Sequence, residues 1–298
     1  MTSRDFKKSV TRSRSKLDAL SKPCYSNPMN ELVFLKLGGS LITDKTRPYT
    51  ARPQTLARLA AEVATALRQN PGLHLVLGHG SGSFGHTAAK EYRTREGLPQ
   101  PDSQRYWQGF AEVWYQAAQL NRLVMGALHT AKIAALALSP AASVTAHNGQ
   151  ISAWDLTPLK SALQAGLVPV IYGDVIFDAV RGGTILSTED LFVYLARHLR
   201  PNRILLAGLE AGVWADFPAR TRLLNEIRPE VLEMNRSGFG SVAGADVTGG
   251  MLAKVEQMLA LVQELHFLQV YIFSGEVHRA VEQTLTGEPS GTVIRVSH

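Results

Sequence analysis

The chain has a single cysteine, Cys24, in 298 residues. One thiol excludes an internal disulfide and a cysteine-built metal cluster, and it fits a reducing compartment, so a cytoplasmic protein is expected. No apolar run approaches the roughly 18 residues of a membrane span, and no membrane association is expected. An excess of positive charge is lacking outside one end. The formal net charge is +6, yet Arg4 to Lys22 carries seven Lys or Arg against two Asp, a balance of +5. The body is therefore close to neutral, which implies no basic face and no nucleic-acid partner. Also missing are the GxxxxGKS/T pattern of P-loop proteins, the HRD and DFG motifs of protein kinases, and any repeat of 20 to 50 residues.

What is present is an ordinary globular composition, 45% hydrophobic and 19% charged, in a chain long enough for one large α/β domain or two lobes. Residues 1–29 are Ser/Lys/Arg-rich without periodicity and read as a disordered basic extension, with Met29 as an alternative start. Two lobes are expected after it, at 30–200 and 201–298. The first begins with ELVFLKLGGSLITDK, Glu31 to Lys45. Its short apolar run bounded by a glycine pair predicts a buried strand entering a tight turn. Lys36 lies inside that strand. It either turns to solvent from an edge strand or meets a fixed anion, which the backbone N–H groups of Gly38, Gly39 and Ser40 could approach.

Apolar spacing predicts a helix over Leu56–Arg68, ended by Asn70-Pro71-Gly72. A strand at His74–Leu77 then runs into a second glycine loop, Gly78-His79-Gly80-Ser81-Gly82-Ser83-Phe84-Gly85-His86. Helical residues are expected through Gln104–Ala137. There Tyr106, Trp107, Phe110, Val113 and Trp114 form an apolar stripe that is either core or the wall of an apolar pocket. The strand Leu167–Tyr172 ends at Gly173-Asp174, where parallel sheets place function. Val175–Asp178 and Gly182–Leu186 read as a hairpin, and Ser187 caps a helix over Leu191–Leu199. In the second lobe a strand at Ile204–Ala207 leads into Gly208–Trp214. A Gly/Ser/Ala-rich loop follows at Phe239–Asp246. Thr248-Gly249-Gly250 opens a helix carrying Lys254, a third anion site. Alternating strands and helices predict an α/β fold, a three-layer αβα sandwich with a mainly parallel central sheet.

Three glycine sites at strand–helix junctions, each with a lysine or histidine, point to a polyphosphate and a second anion. Gly80 to Gly85 also fits GxGxxG and follows a strand, but no acidic residue ends a following strand at the distance a dinucleotide ribose requires. The set resembles the amino acid kinase superfamily and, within it, is similar to the isopentenyl phosphate kinases. The matching residues are Lys36-Leu-Gly38-Gly39-Ser40 with Lys45, His79 through His86, Tyr172-Gly173-Asp174, Ser187 through Asp190, and Asp246-Val-Thr248-Gly249-Gly250-Met251 with Lys254. His86 marks the subfamily, which it shares with a fosfomycin kinase. Gly208 to Trp214 departs from the family's TDVDGVY-like segment near the adenine, and Ser81 stands where glycine is common.

The resemblance implies ATP-dependent phosphorylation of isopentenyl phosphate to the diphosphate. It also implies the amino acid kinase-like fold, Mg²⁺ on the nucleotide and a homodimer. His86 and the N–H groups of Gly80 to Gly85, Ser81 included, would hold the acceptor phosphate beside Gly173. Lys36 would bridge the reacting phosphates. Lys45 and Lys254 would hold the β- and γ-phosphates with Gly38, Gly39, Ser40, Gly249 and Gly250. Asp174 or Asp190 would orient the lysines. The rival expectations are a kinase for another small phosphate or phosphonate, fosfomycin included, and a non-catalytic nucleotide sensor.

Overall fold

The computed structural model describes residues 31–98, 103–238 and 250–296. The extension expected at 1–29, the loop expected at 239–246 and Gly249 lie outside them. In chain order the elements begin β1 (Glu31–Leu37), α1 (Gly39–Ile42), α2 (Pro53–Gln69), β2 (Leu73–His79), α3 (Gly82–Tyr92) and α4 (Ser103–Thr130). Next come β3 (Ala135–Ala137), β4 (Val144–His147), β5 (Gln150–Trp154), α5 (Thr157–Gln164), β6 (Val168–Tyr172), β7 (Asp174–Asp178), β8 (Gly182–Leu186) and α6 (Thr188–Leu199). The chain continues through β9 (Arg203–Gly208), β10 (Val213–Trp214), β11 (Leu223–Leu224), β12 (Glu226–Ile227) and α7 (Pro229–Asn235). It closes with α8 (Gly250–Glu264), β13 (Gln269–Ser274), α9 (Ala280–Leu285) and β14 (Thr292–Ile294).

Eight strands form the main sheet in the order β12-β14-β13-β9-β1-β2-β6-β3. All its pairings are parallel except β13 with β14. β1 lies between β2 and β9, so the edge-strand reading of Lys36 is excluded. The two expected lobes share this sheet, since β9 sits directly on β1. Strand alternation sorts β1 between two helical layers. Val33, Leu35 and Leu37 join Leu59 and Val63 of α2, Leu120 and Val124 of α4, and Val281 of α9 in one buried cluster. Each such fully buried aliphatic side chain contributes roughly 1.5–3 kcal/mol. On the opposite face Phe34 packs on Phe192 of α6, with ring centroids 5.1 Å apart. Lys36 is the next residue along that face. A smaller sheet has the order β5-β4-β7-β8.

Helical propensity alone extends α4 through Ala137, and here the structure differs. The helix stops at Thr130, Lys132 takes a left-handed φ of 62°, and Ala135–Ala137 pair in parallel with Val168–Val170. Completing the sheet edge outweighs the helix preference of an alanine-rich run.

Candidate active site

Lys36 reaches the C-terminal end of β1, opposite Gly78 on β2 and Leu206 on β9. It is 8% exposed. A side chain at Gly78 would meet Thr188 at 2.6 Å and Phe192 at 2.8 Å. Glycine there lets the start of α6 approach the sheet and brings Glu189 over the lysine. Lys36 Nζ is 3.0 Å from Glu189 Oε1, and Lys254 Nζ of α8 is 3.7 Å from the same oxygen. Burial pushes the Glu189 carboxyl up. The charges of Lys36 and Lys254 and the Lys36 hydrogen bond outweigh burial and bring it to about 2.

The two glycine loops touch. A Cβ on Gly39 would fall against the backbone nitrogen of Gly82, and one on Gly80 would lie 2.8 Å from Gly39 N and 3.7 Å from Lys36 Nζ. Thr43 staples them, its Oγ1 donating to Gly39 O at 2.7 Å and accepting from Ser83 N at 3.0 Å. This geometry corrects the expected cradle of N–H groups from Gly80 to Gly85. Gly80 N–H donates to Leu37 O, Ser83 N–H to Thr43, and both Phe84 and Gly85 N–H to Ser81 O. Ser81 and Gly82 N–H donate to no protein acceptor among the described residues, and the same holds for Gly39 and Ser40. Two pairs of backbone donors thus remain, one pair on each loop.

A cleft of about 470 Å³ runs along the C-terminal ends of the central strands. Lys36, Gly38, Gly39, Ser40, Lys45 and Lys254 line it, as do Gly80, Ser81, Gly85, His86, Gly173 and Gly250. Lys45 is exposed on the loop after α1, and His86 stands on the first turns of α3. Val113 of α4 and Ile185 of β8 also line the cleft near Ala89. Behind them Tyr106, Phe110 and Val113 form a buried cluster with Val175. Of the apolar stripe of α4, Tyr106, Phe110 and Val113 are core, Val113 also walls the cleft, and Trp114 is exposed.

Two expected residues do not reach the lysines. Asp174 is fully buried and accepts from Val175 N at 2.9 Å, Ser139 Oγ at 3.3 Å and Ala141 N at 3.4 Å. Burial raises it to about 7 against those hydrogen bonds. Its task is to tie β7 to the turn at Pro140–Ala142. Asp190 closes a capping box, accepting from Ser187 N at 2.8 Å and Ser187 Oγ at 2.7 Å, with Gln257 Nε2 on its other oxygen at 2.8 Å. The carboxylate that orients the lysines is Glu189. The signal was in the sequence: Ser187 as N-cap commits the residue three positions on to the cap and leaves Glu189 available to the sheet. His79 is buried, with Nε2 3.1 Å from Asn121 Oδ1 and Nδ1 3.2 Å from Gly80 O. Burial lowers its pKa to about 4, so the imidazole is neutral.

Among the described residues no group of three or more His, Cys, Asp or Glu side chains is placed to hold a metal ion. Glu189 and Glu210 both line the cleft, but each is matched by cations, Glu189 by two lysines and Glu210 by Arg220. The site thus offers converging positive charge and backbone donors around one organising carboxylate, which suits two phosphate groups brought together.

Residues 31–274 match the amino acid kinase family. The chain is 32% identical over 274 residues to isopentenyl phosphate kinase of Methanocaldococcus jannaschii, covering 89% of this chain and 99% of that protein. It is 34% identical over 276 residues to isopentenyl phosphate kinase of Methanothermobacter thermautotrophicus, covering 90% and 100%. A solved structure described as "X-ray structures of isopentenyl phosphate kinase" matches with a TM-score of 0.76 at 32% identity, over 89% of this chain and all of that one. UMP kinase from Bacillus anthracis, 16% identical with a TM-score of 0.61, shares the fold alone. With relatives matched almost end to end, the chain belongs to the amino acid kinase family, in the group of the isopentenyl phosphate kinases.

Proposed function

We propose that the chain transfers the γ-phosphoryl group of ATP to the phosphate of isopentenyl phosphate, giving isopentenyl diphosphate and ADP. The observation that carries this reading is Lys36, buried at the meeting point of two glycine loops with His86 in the same cleft. A phosphate monoester with a second pKa near 6 is largely dianionic at neutral pH and needs no general base. An acceptor oxygen attacks the γ-phosphorus, the bond from that phosphorus to the β-bridging oxygen breaks, and ADP leaves with the electron pair. The protein's work is in-line positioning and charge stabilisation.

His86 with Ser81 and Gly82 N–H hold the acceptor phosphate. Gly39 and Ser40 N–H, Lys45 and Lys254 hold the nucleotide phosphates. Lys36 lies between the two groups and is fixed by Glu189. Magnesium carried on the nucleotide would neutralise charge on the β- and γ-phosphates. The apolar wall of α4 and β8 takes the five-carbon tail. Gly39 is kept free of a side chain by the contact with the second loop, so the two phosphate sites stay within transfer distance.

The reading includes a homodimer in the cytoplasm. Trp114, Tyr115 and Leu123, each more than 40% exposed along α4, support a partner surface, and gel filtration with light scattering tests it. No helix among the described residues is long and apolar enough to cross a membrane. The functional test is an ATP-consumption assay with isopentenyl phosphate, dimethylallyl phosphate and fosfomycin as acceptors. Isopentenyl phosphate is expected to be preferred. His86→Ala is expected to lower its turnover by about 100-fold or more while ATP still binds, and near-wild-type turnover would sink the assignment.

A further inference from the structure

Ser187 caps α6 with its own side chain, so the next residue has no capping to do. That residue, Thr188, is 1% exposed, and both branches of its side chain meet β2. Its Oγ1 donates to His79 O at 2.6 Å, across 109 residues of sequence. Its Cγ2 lies 2.6 Å from where a Cβ on Gly78 would stand. A β-branched side chain has few rotamers to choose from. With both branches engaged, the start of α6 is held to β2 at one height.

The neighbours of this hydrogen bond are the working parts of the cleft. Gly173 N–H donates to the same His79 oxygen at 3.3 Å, which ties in the end of β6. Gly80 follows His79, and a Cβ on it would lie 3.7 Å from Lys36 Nζ. Glu189 follows Thr188 and reaches Lys36 Nζ at 3.0 Å. Lys36, Glu189, Thr188, His79 and Gly80 thus form a closed circuit, and the Thr188 hydroxyl is the link that joins the helix to the strand. Phe192 packs the same helix on Phe34, but apolar contact is non-directional and does not by itself set the height of the helix start. The single hydroxyl proton of Thr188 is given to His79 O, so none remains for a phosphate oxygen. Any effect of this hydroxyl on phosphoryl transfer therefore passes through Glu189.

We propose that Thr188 is the positioning residue of the Lys36–Glu189 pair: by fixing the start of α6 to the His79 carbonyl, its hydroxyl sets where Glu189 holds Lys36 between the two phosphates. The assignment rests on the kinase reading above and adds to it the residue that places the lysine's partner.

The test is steady-state kinetics with ATP and isopentenyl phosphate on the full chain, as wild type, Thr188→Val, Glu189→Gln and the double variant. Valine keeps the branched shape and loses the hydroxyl, and the His79 oxygen keeps the Gly173 N–H. Thr188→Val is expected to lower kcat by about 10-fold through a small displacement of the lysine. Its KM for ATP is expected to stay within about twofold of the wild type, because the lost interaction acts on turnover. Thr188→Ser restores the hydroxyl and is expected to recover most of kcat. In the Glu189→Gln background Thr188→Val is expected to cost nothing further, since no latch remains to be placed. A wild-type kcat in Thr188→Val, a serine variant no better than valine, or a second full loss of kcat in the double variant overturns the proposal. If Thr188→Val does not fold, Thr188→Ala against Thr188→Ser carries the same comparison. A wild type that transfers phosphate to none of isopentenyl phosphate, dimethylallyl phosphate and fosfomycin overturns the kinase reading instead. The same four proteins then decide the placement by thermal unfolding. A Tm loss of about 2–4 °C from Thr188→Val that shrinks in the Glu189→Gln background supports it, and an undiminished loss overturns it.

Discussion

Glu189→Gln removes a negative charge from between two ammonium groups, and its consequences follow from the geometry. The carboxylate oxygen is 3.0 Å from Lys36 Nζ and 3.7 Å from Lys254 Nζ. At these separations the attractions are about 5.5 and about 4.5 kcal/mol at an effective dielectric of 20, before the desolvation of the carboxylate is set against them. Lys36 is 8% exposed, so water replaces little of the lost partner. Stranding one member of a buried pair costs about 3–5 kcal/mol. The lower end applies, because the Lys254 side chain is 30% exposed and stays partly hydrated. About 3 kcal/mol in a domain of this size lowers Tm by roughly 6–12 °C. A bound triphosphate supplies a substitute anion for both lysines, so the deficit shrinks under saturating ATP.

Turnover behaves differently from binding. An unlatched Lys36 loses its place between the phosphates, and a displacement of about 1 Å costs about 100-fold in rate. The variant site is more positive, so ATP affinity is expected to hold or rise while kcat falls by about 10- to 100-fold. Glu189→Asp, which keeps the charge on a shorter stem, is expected to lose less of both. Paired thermal unfolding with and without ATP, together with steady-state kinetics, measures each quantity. Equal destabilisation in both conditions, or a wild-type kcat, would refute the latch.

Two further outcomes test neighbouring assignments. His79 is held neutral, with its folded pKa near 4 against an ordinary 6.5. A depressed value means that its contribution is fully present above pH 6.5 and is lost as pH falls toward 4. The window corresponds to about 3 kcal/mol, so urea unfolding at pH 7, 5.5 and 4 should show a steeper acid loss in the wild type than in His79→Asn. Parallel slopes would contradict the buried neutral imidazole. Asp190→Ala removes the capping box and is expected to cost roughly 0.5–2 kcal/mol of stability with kcat close to the wild type. A large fall in kcat would return Asp190 to the lysine site.

The alternation of strands and helices was legible because apolar runs such as Val33–Leu37 and the 3.6-residue spacing of Leu56, Leu59, Ala60 and Val63 are local patterns. Lys36 was legible as an anomaly for the same reason. The partner of Lys36 had only an indirect signal, the capping serine three residues before Asp190, because two adjacent carboxylates differ only in which way a helix start turns them. One closes the cap and the other faces the sheet. The inward turn of Asp174 was equally hidden, since its partners Ser139 and Ala141 are distant in sequence. Strand β5 gave no signal either. It is only five residues long and mostly exposed, too short for the alternation of Gln150, Ile151, Ser152 and Ala153 to stand out. The donors left free on the glycine loops depend on which N–H groups the fold itself uses, and that is a three-dimensional property.

The central place of β1 has a consequence for how the protein is made. The first described strand to leave the ribosome ends up in the middle of the sheet, with β2 on one side and the much later β9 on the other. Until Arg203–Gly208 emerges, the apolar edge of Val33, Phe34 and Leu35 waits unpaired, the condition under which nascent chains associate with one another. Glu189 arrives well over a hundred residues after the lysine it neutralises, and Lys254 later still. Catalytic competence is therefore begun first and completed last, and a prematurely terminated chain carries an exposed sheet edge without a usable fraction of the activity.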